Sequence, residues 1–279
     1  MLKIMLKKLL ILKLILLLIL LSFSCSKSLE QNTKVDVYTS IPPIQFLIDN
    51  ITGGNLVSKT ILKPGSDPHT FEITPKEIAL ILKSKLYISI DLPFENILVE
   101  KIQKQNKNFK LILAYKNNSE DIHLWTSITK IKILSENIFN ALAELYPESK
   151  DLYASNYKNF LEKLNNLDIA IKFNIDSSKI KDFLIIHPAL TYFAEDYGLF
   201  QISIEEEGKV TSTADLIEIS KKIKEKIIRF IFIQPEFPEK QIEQFIKDNK
   251  LEPITIDILA YNIFDTLLKV SEAFVLYKK

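Results

Sequence analysis

Apolar residues recur along this chain in two rhythms. Short runs rich in β-branched and aromatic residues occur at Val35–Ser40, Val57–Leu62, Leu86–Ile90 and Lys110–Leu113, then at Phe183–Ile186, Gln201–Ile204, Ile228–Ile233 and Ile254–Asp257. Between them lie longer stretches in which apolar positions return every three or four residues. The first rhythm predicts strands and the second predicts helices. Strands that alternate with helices predict parallel sheets covered on both faces. Because the runs fall into two sets of four, the predicted fold is α/β, with two lobes each built on a mainly parallel four-stranded sheet.

Between the sets, from about Pro147 to Phe173, the residues Leu152, Tyr153, Tyr157, Phe160, Leu161, Leu164, Leu167 and Ile171 keep helical spacing, with lysines and asparagines between them. That pattern predicts one long amphipathic helix. A helix of about 25 residues is nearly 38 Å long at 1.5 Å per residue, enough to run the height of a domain and join two lobes. The expected organisation is a first lobe over 34–146, a rigid connecting helix over 147–174 and a second lobe over 175–279. A ligand held in a cleft between such lobes would touch both.

The N-terminus has a different character. Residues 1–24 carry Lys3, Lys7, Lys8 and Lys13 and no acid, and Leu9 to Leu21 is apolar apart from Lys13. This is the layout of an export signal. A permanent membrane span is the competing reading, but the apolar run is short and a lysine inside it is costly at the bilayer centre. The sole cysteine follows in Leu21-Ser22-Phe23-Ser24-Cys25, which resembles a bacterial lipobox with Ser22 in the place of the usual leucine. The resemblance implies that Cys25 is lipidated and that residues 25–33 tether a membrane-anchored lipoprotein facing the periplasm or the outside of the cell envelope.

Without residues 1–24 the chain has 255 residues, and its balance moves from 36 basic against 35 acidic to 32 against 35. A near-neutral protein offers no electrostatic footprint for nucleic acid. No cysteine then remains for a disulfide, so stability must come from the core, which 47% apolar residues can supply. Five glycines occur and none forms GxGxxG or GxxxxGK[ST], so dinucleotide and P-loop sites lack their backbone.

The candidate chemistry lies in three histidines: His69 in SDPHTFEITP, His123 in EDIHLWTS and His187 in FLIIHPALTYF. Each sits where a loop enters or leaves a regular element. Pro64-Gly65-Ser66-Asp67-Pro68 reads as a tight loop after the strand at Val57–Leu62, and Thr74-Pro75-Lys76-Glu77 is a capping box with proline at the first helical position, so the His69 loop is expected to be fixed at both ends. His123 precedes Trp125 and a helical pattern over Ile128–Leu145. His187 ends an apolar strand, and Pro188 after it suits the first residue of the next helix. Ligands of open α/β sheets bind at the carboxyl ends of strands, so the three rings are expected to face one crevice, two from the first lobe and His187 from the second. A divalent ion there is best balanced by a carboxylate as fourth ligand. Asp257, at the expected end of the last strand, is favoured because its apolar approach predicts partial burial. The rivals are Glu236 and the cluster Glu205-Glu206-Glu207, the latter reading as a solvated turn. Tyr192, Phe193 and Tyr197 read as core packing, and Trp125 either covers the site or packs in the core.

The blocks Pro64-Gly65-x-Asp67-Pro68-His69-x-Phe71-Glu72-x-Thr74-Pro75, His123-x-Trp125, His187-x-Ala189-x-x-Tyr192-Phe193-x-x-x-Tyr197-Gly198-Leu199 and Asp257 resemble the zinc- and manganese-binding solute receptors of bacterial ABC transporters. The resemblance covers about residues 34 to 275. It implies two α/β lobes joined by a long helix, a metal held between them by His69, His123, His187 and Asp257, and delivery to a membrane permease by a monomeric, non-enzymatic receptor. Three departures stand out. The segment before the second ligand, Lys116–Ile122, is short and has no histidine; Gln234 replaces a usual glutamate; and Asp257-Ile258-Leu259 replaces Asp-Pro-Leu.

Three imidazoles and a carboxylate suit tetrahedral Zn²⁺, whereas Mn²⁺ prefers more oxygen, so zinc is the expected cargo and manganese the alternative. Binding is expected to weaken as the pH falls through about 6.5, where free imidazole takes up a proton. A secreted zinc hydrolase is the rival from another class, but the chain lacks HExxH.

Overall fold

A computed structural model describes residues 34–63, 65–206, 209–237 and 242–278. The export signal, Cys25 and the tether lie outside the described residues, as do Pro64 and Glu207. The segment Val35–Lys279 forms one compact unit.

Two four-stranded parallel sheets organise this unit. The first has the order β2-β1-β3-β4, with β1 at Val37–Thr39, β2 at Ser58–Thr60, β3 at Leu86–Ser89 and β4 at Lys110–Leu113. The second has the order β10-β9-β5-β6, with β5 at Asp182–Ile185, β6 at Phe200–Ser203, β9 at Phe230–Ile233 and β10 at Glu252–Thr255. Between β6 and β9 a small antiparallel pair, β7 at Glu205–Glu206 and β8 at Lys209–Val210, has no counterpart in the sequence reading.

The inner strands are the continuous apolar runs. Every residue of β1, β3 and β9 is buried, whereas the edge strands β4 and β10 are exposed at both ends. A parallel strand covered on both faces must be apolar throughout, which is why Phe230-Ile231-Phe232-Ile233 reads as a run and not as an alternation. The covering helices are α1 (Pro42–Thr52), α2 (Pro75–Ile81), α3 (Pro93–Gln105) and α4 (Ile128–Leu145) in the first lobe. In the second they are α6 (Thr191–Tyr197), α7 (Thr213–Lys226), α8 (Glu243–Asn249) and α9 (Ile263–Leu276). The capping box at Thr74 and Glu77 is present. Pro188 does not open α6, which begins at Thr191 with Leu190 as its N-cap.

The long helix α5 runs over Lys150–Ser178 after a 3₁₀ turn at Pro147–Ser149. Its 29 residues correspond to about 43 Å. Tyr153, Phe160, Leu164, Leu167, Ile171 and Ile175 form its buried stripe, packed on α1 and α4 of one lobe and α9 of the other. One apolar core therefore holds residues of both lobes, from Val37 and Trp125 to Phe183 and Phe274. Hydrogen bonds cross the junction as well. Ser127 Oγ donates to Asp196 Oδ2 at 2.7 Å, Tyr261 O–H donates to Asp49 Oδ2 at 2.8 Å, and the Trp125 indole N–H donates to the Ile258 carbonyl at 2.7 Å.

With so few glycines, three helices end on other residues in the left-handed conformation: Lys179 (φ 59°), Ile227 (φ 57°) and Lys250 (φ 53°). Ile227 is the costly one, since a β-branched side chain crowds the backbone there.

Candidate metal centre

Each histidine arrives by a different route. Asp67 Oδ1 accepts the His69 backbone N–H at 2.8 Å, and Asp67 Oδ2 accepts the Thr70 hydroxyl at 3.2 Å. A short side chain bonding two residues on is the usual way to fold such a loop. His123 stands just before the 3₁₀ turn Leu124–Thr126, whose Thr126 hydroxyl donates back to the His123 carbonyl at 2.8 Å. His187 lies two residues past β5, and Gln234 occupies the next position past β9. Strand order reverses between β5 and β9, which is where open α/β sheets hold ligands. The Gln234 side chain bridges that gap: its amide N–H donates to the His187 carbonyl at 2.7 Å and its oxygen accepts the His187 N–H at 3.4 Å.

The three Nε2 atoms converge. His69 Nε2 lies 3.5 Å from His123 Nε2 and 3.2 Å from His187 Nε2, and the three residues offer nitrogen atoms within 4.8 Å of one another. His123 and His187 are buried at 3% and 9% exposure, while His69 is exposed. The Nδ1 sides face carboxylates. His123 Nδ1 is 2.7 Å from Asp121 Oδ1, and His187 Nδ1 is 3.3 Å from Glu205 Oε2. The hydrogen bond to Asp121 favours the His123 tautomer with its proton at Nδ1 and leaves the Nε2 lone pair for a metal. Phe237 stacks on the His187 ring at 4.7 Å and 11°. These groups line a cavity of about 560 Å³ that also includes Glu120, Pro188 and Thr191.

Burial, followed by the neighbouring rings, pushes His187 down from 6.5 to about 3. The same causes, burial first and then His123, lower His69. Burial works to raise the Asp121 carboxyl, but its bonds to His123 and the charge of that ring outweigh it and hold Asp121 below the usual range. Burial thus disfavours the protonated forms of His69 and His187 and Asp121 stays ionised, which suits a cation.

Asp257 lies outside the cluster of nitrogens. Strand β10 ends at Thr255, two residues short of it; Asp257 is exposed rather than partly buried, and it accepts the Leu259 N–H at 2.9 Å. Glu236 is partly buried, and its carboxyl is pushed up by burial and then by the negative charges of Asp257 and Asp67. Glu205 does not sit in a solvated turn: it is 3% exposed. Its backbone N–H donates to the Ile186 carbonyl at 2.9 Å, which carries the side chain under His187. Sequence reasoning missed Asp121 as a partner of the site, for which the spacing Asp121-x-His123 was the available signal, and it weighed Glu205 only as a rival ligand, not as a partner of His187. Trp125 is wholly buried and meets the His123 ring edge-on at 5.4 Å. Tyr192, Phe193 and Tyr197 are buried as expected, and the Tyr192 hydroxyl donates to the Asp121 carbonyl at 3.1 Å.

The sequence model of the family described as zinc-uptake complex component A, periplasmic, matches residues 37–266. A putative metal-binding protein of Chlamydia trachomatis is 28% identical over 263 residues, which cover 91% of this chain and 95% of that one. The zinc-binding lipoprotein AdcA of Streptococcus pneumoniae is 25% identical over 236 residues, and the match spans 76% of this chain but 47% of AdcA. Among solved structures, a crystal structure of ZnuA superposes with a TM-score of 0.81 at 31% identity, covering 87% of this chain and 98% of that one.

Proposed function

The chain belongs to the family of periplasmic zinc-uptake components, and on that premise we propose that it captures a zinc ion between its lobes through His69, His123 and His187 and delivers it to the membrane permease of an ABC transporter. Family members are metal-binding transport receptors, so the hydrolase reading falls away and the chain is not an enzyme.

The observation that carries the reading is the spacing of the Nε2 atoms, 3.2 and 3.5 Å. Two nitrogens each about 2.05 Å from a tetrahedral zinc ion stand about 3.3 Å apart, so the rings already hold the separation that the ion demands. Nitrogen donors also favour zinc over manganese. Asp257 completes the set as fourth ligand only by moving, because its carboxylate is engaged with Leu259 outside the cluster. Cys25 is the proposed lipid anchor, by analogy with the lipoprotein AdcA, and the proposed receptor acts as a monomer on the outer side of a membrane. Among the described residues no helix is long and apolar enough to cross one.

Crystals grown with equal zinc and manganese test this by anomalous scattering. A peak at the zinc edge midway between the three Nε2 atoms is expected. Manganese at that point overturns the choice of cargo, and an ion bound elsewhere overturns the site.

A further inference from the structure

Charge balance poses the question. Three neutral imidazoles leave a divalent ion with two uncompensated positive charges in a largely buried cleft, and the carboxylate expected to coordinate it, Asp257, is outside the cluster. Two other carboxylates are closer to the rings. Asp121, in the first lobe, sits 2.7 Å from His123 Nδ1, and Glu205, in the second, sits 3.3 Å from His187 Nδ1. We propose that Asp121 and Glu205 are positioning carboxylates, one from each lobe, which sit at the far nitrogens of two ligand rings and add negative charge around the ion.

The geometry excludes Glu205 as a ligand in this arrangement. Nδ1 and Nε2 lie on opposite sides of an imidazole, and Glu205 faces Nδ1 while Nε2 faces the other histidines. It acts through the ring. The ring itself is held from three directions: Gln234 fixes the His187 backbone at both its N–H and its carbonyl, Phe237 covers one face, and Glu205 meets Nδ1. Glu205 reaches this place because the chain after β6 stays alongside β5, with the Ile204 and Glu205 N–H groups donating to the carbonyls of Ile185 and Ile186.

The inference rests on the reading of the three histidines as ligands, so the test separates the two. Zinc affinity is measured by chelator competition on the full mature chain for Glu205→Gln, Glu205→Asp, Asp121→Asn and His187→Ala. Glu218→Gln, at a side chain 64% exposed on α7, is the control. Glu205→Gln and Asp121→Asn are each expected to lose about 10- to 100-fold, Glu205→Asp to recover part of the loss, and the control to match the unaltered chain. With cobalt(II) as a probe, the visible absorption of the loaded Glu205→Gln protein is expected to shift. A merely structural role would lower the melting temperature and leave both the affinity and the cobalt spectrum of the loaded site intact, and that result overturns the proposal. Should Glu205→Gln fail to fold, unaltered affinity in Asp121→Asn overturns the shared role. If His187→Ala also keeps its affinity, the ligand reading itself falls. If His187→Ala loses it while Glu205→Gln keeps it, only the role of Glu205 does.

Discussion

Acidifying the zinc-loaded protein from pH 7.5 to 5.5 tests whether the cleft keeps its rings neutral. Three free imidazoles with pKa near 6.5 would each be protonated about tenfold over the neutral form at pH 5.5, and together their protons would cut zinc affinity about 10³-fold. The structure removes part of that competition. His187, pushed down to about 3, takes up almost no proton at pH 5.5, which removes its tenfold share of that loss. The lowering of His69 reduces the loss further. The onset expected from sequence at about 6.5 therefore shifts to lower pH. Competition against a chelator, corrected for the chelator's own protonation and run at fixed ionic strength, is the assay. A measurable loss smaller than about 10³-fold is expected. A loss near 10³-fold would show that the rings titrate as in water and refute the burial argument.

Replacing His69 or His187 by Ala should abolish high-affinity zinc binding in calorimetry while the circular dichroism of the fold persists, since neither ring is part of the apolar core. The metal-free protein should itself lose stability in acid. Above pH 6.5 neither state binds a proton at His187, but as the pH falls below that value the unfolded chain accepts one that the folded ring refuses until about pH 3. The loss is about 1.4 kcal/mol per pH unit, and His187→Gln should show a shallower fall in melting temperature between pH 6.5 and 4.5. Ile227→Gly should raise the melting temperature by about 2–4 °C, from a gain of about 1 kcal/mol, because the left-handed helix end suits glycine and the isoleucine is already 52% exposed.

Strand positions were legible because inner parallel strands must be apolar on both faces, and Phe230–Ile233 could hardly be read otherwise. The long helix was legible from its stripe. The pair β7 and β8 was not, because Glu205-Glu206-Glu207-Gly208 has no apolar alternation, and the burial of Glu205 comes from its pairing beneath His187, a contact between residues 18 apart. Asp257 illustrates the opposite error: the apolar approach of Ile254 and Ile256 suggested burial, but the chain leaves β10 at Thr255 and turns the carboxylate toward its own loop. Nothing in local sequence brings His69 within 3.2 Å of His187 across 118 residues; that expectation came from the order of the motifs, and tertiary packing carries it out.

The sole tryptophan of the chain has its edge against the His123 ring and its N–H on a carbonyl of the opposite lobe. Its light emission should therefore register both a charge arriving at the imidazole and any slackening of the seam between the halves. The molecule carries its own optical gauge, one that needs no dye and follows loading and release in real time.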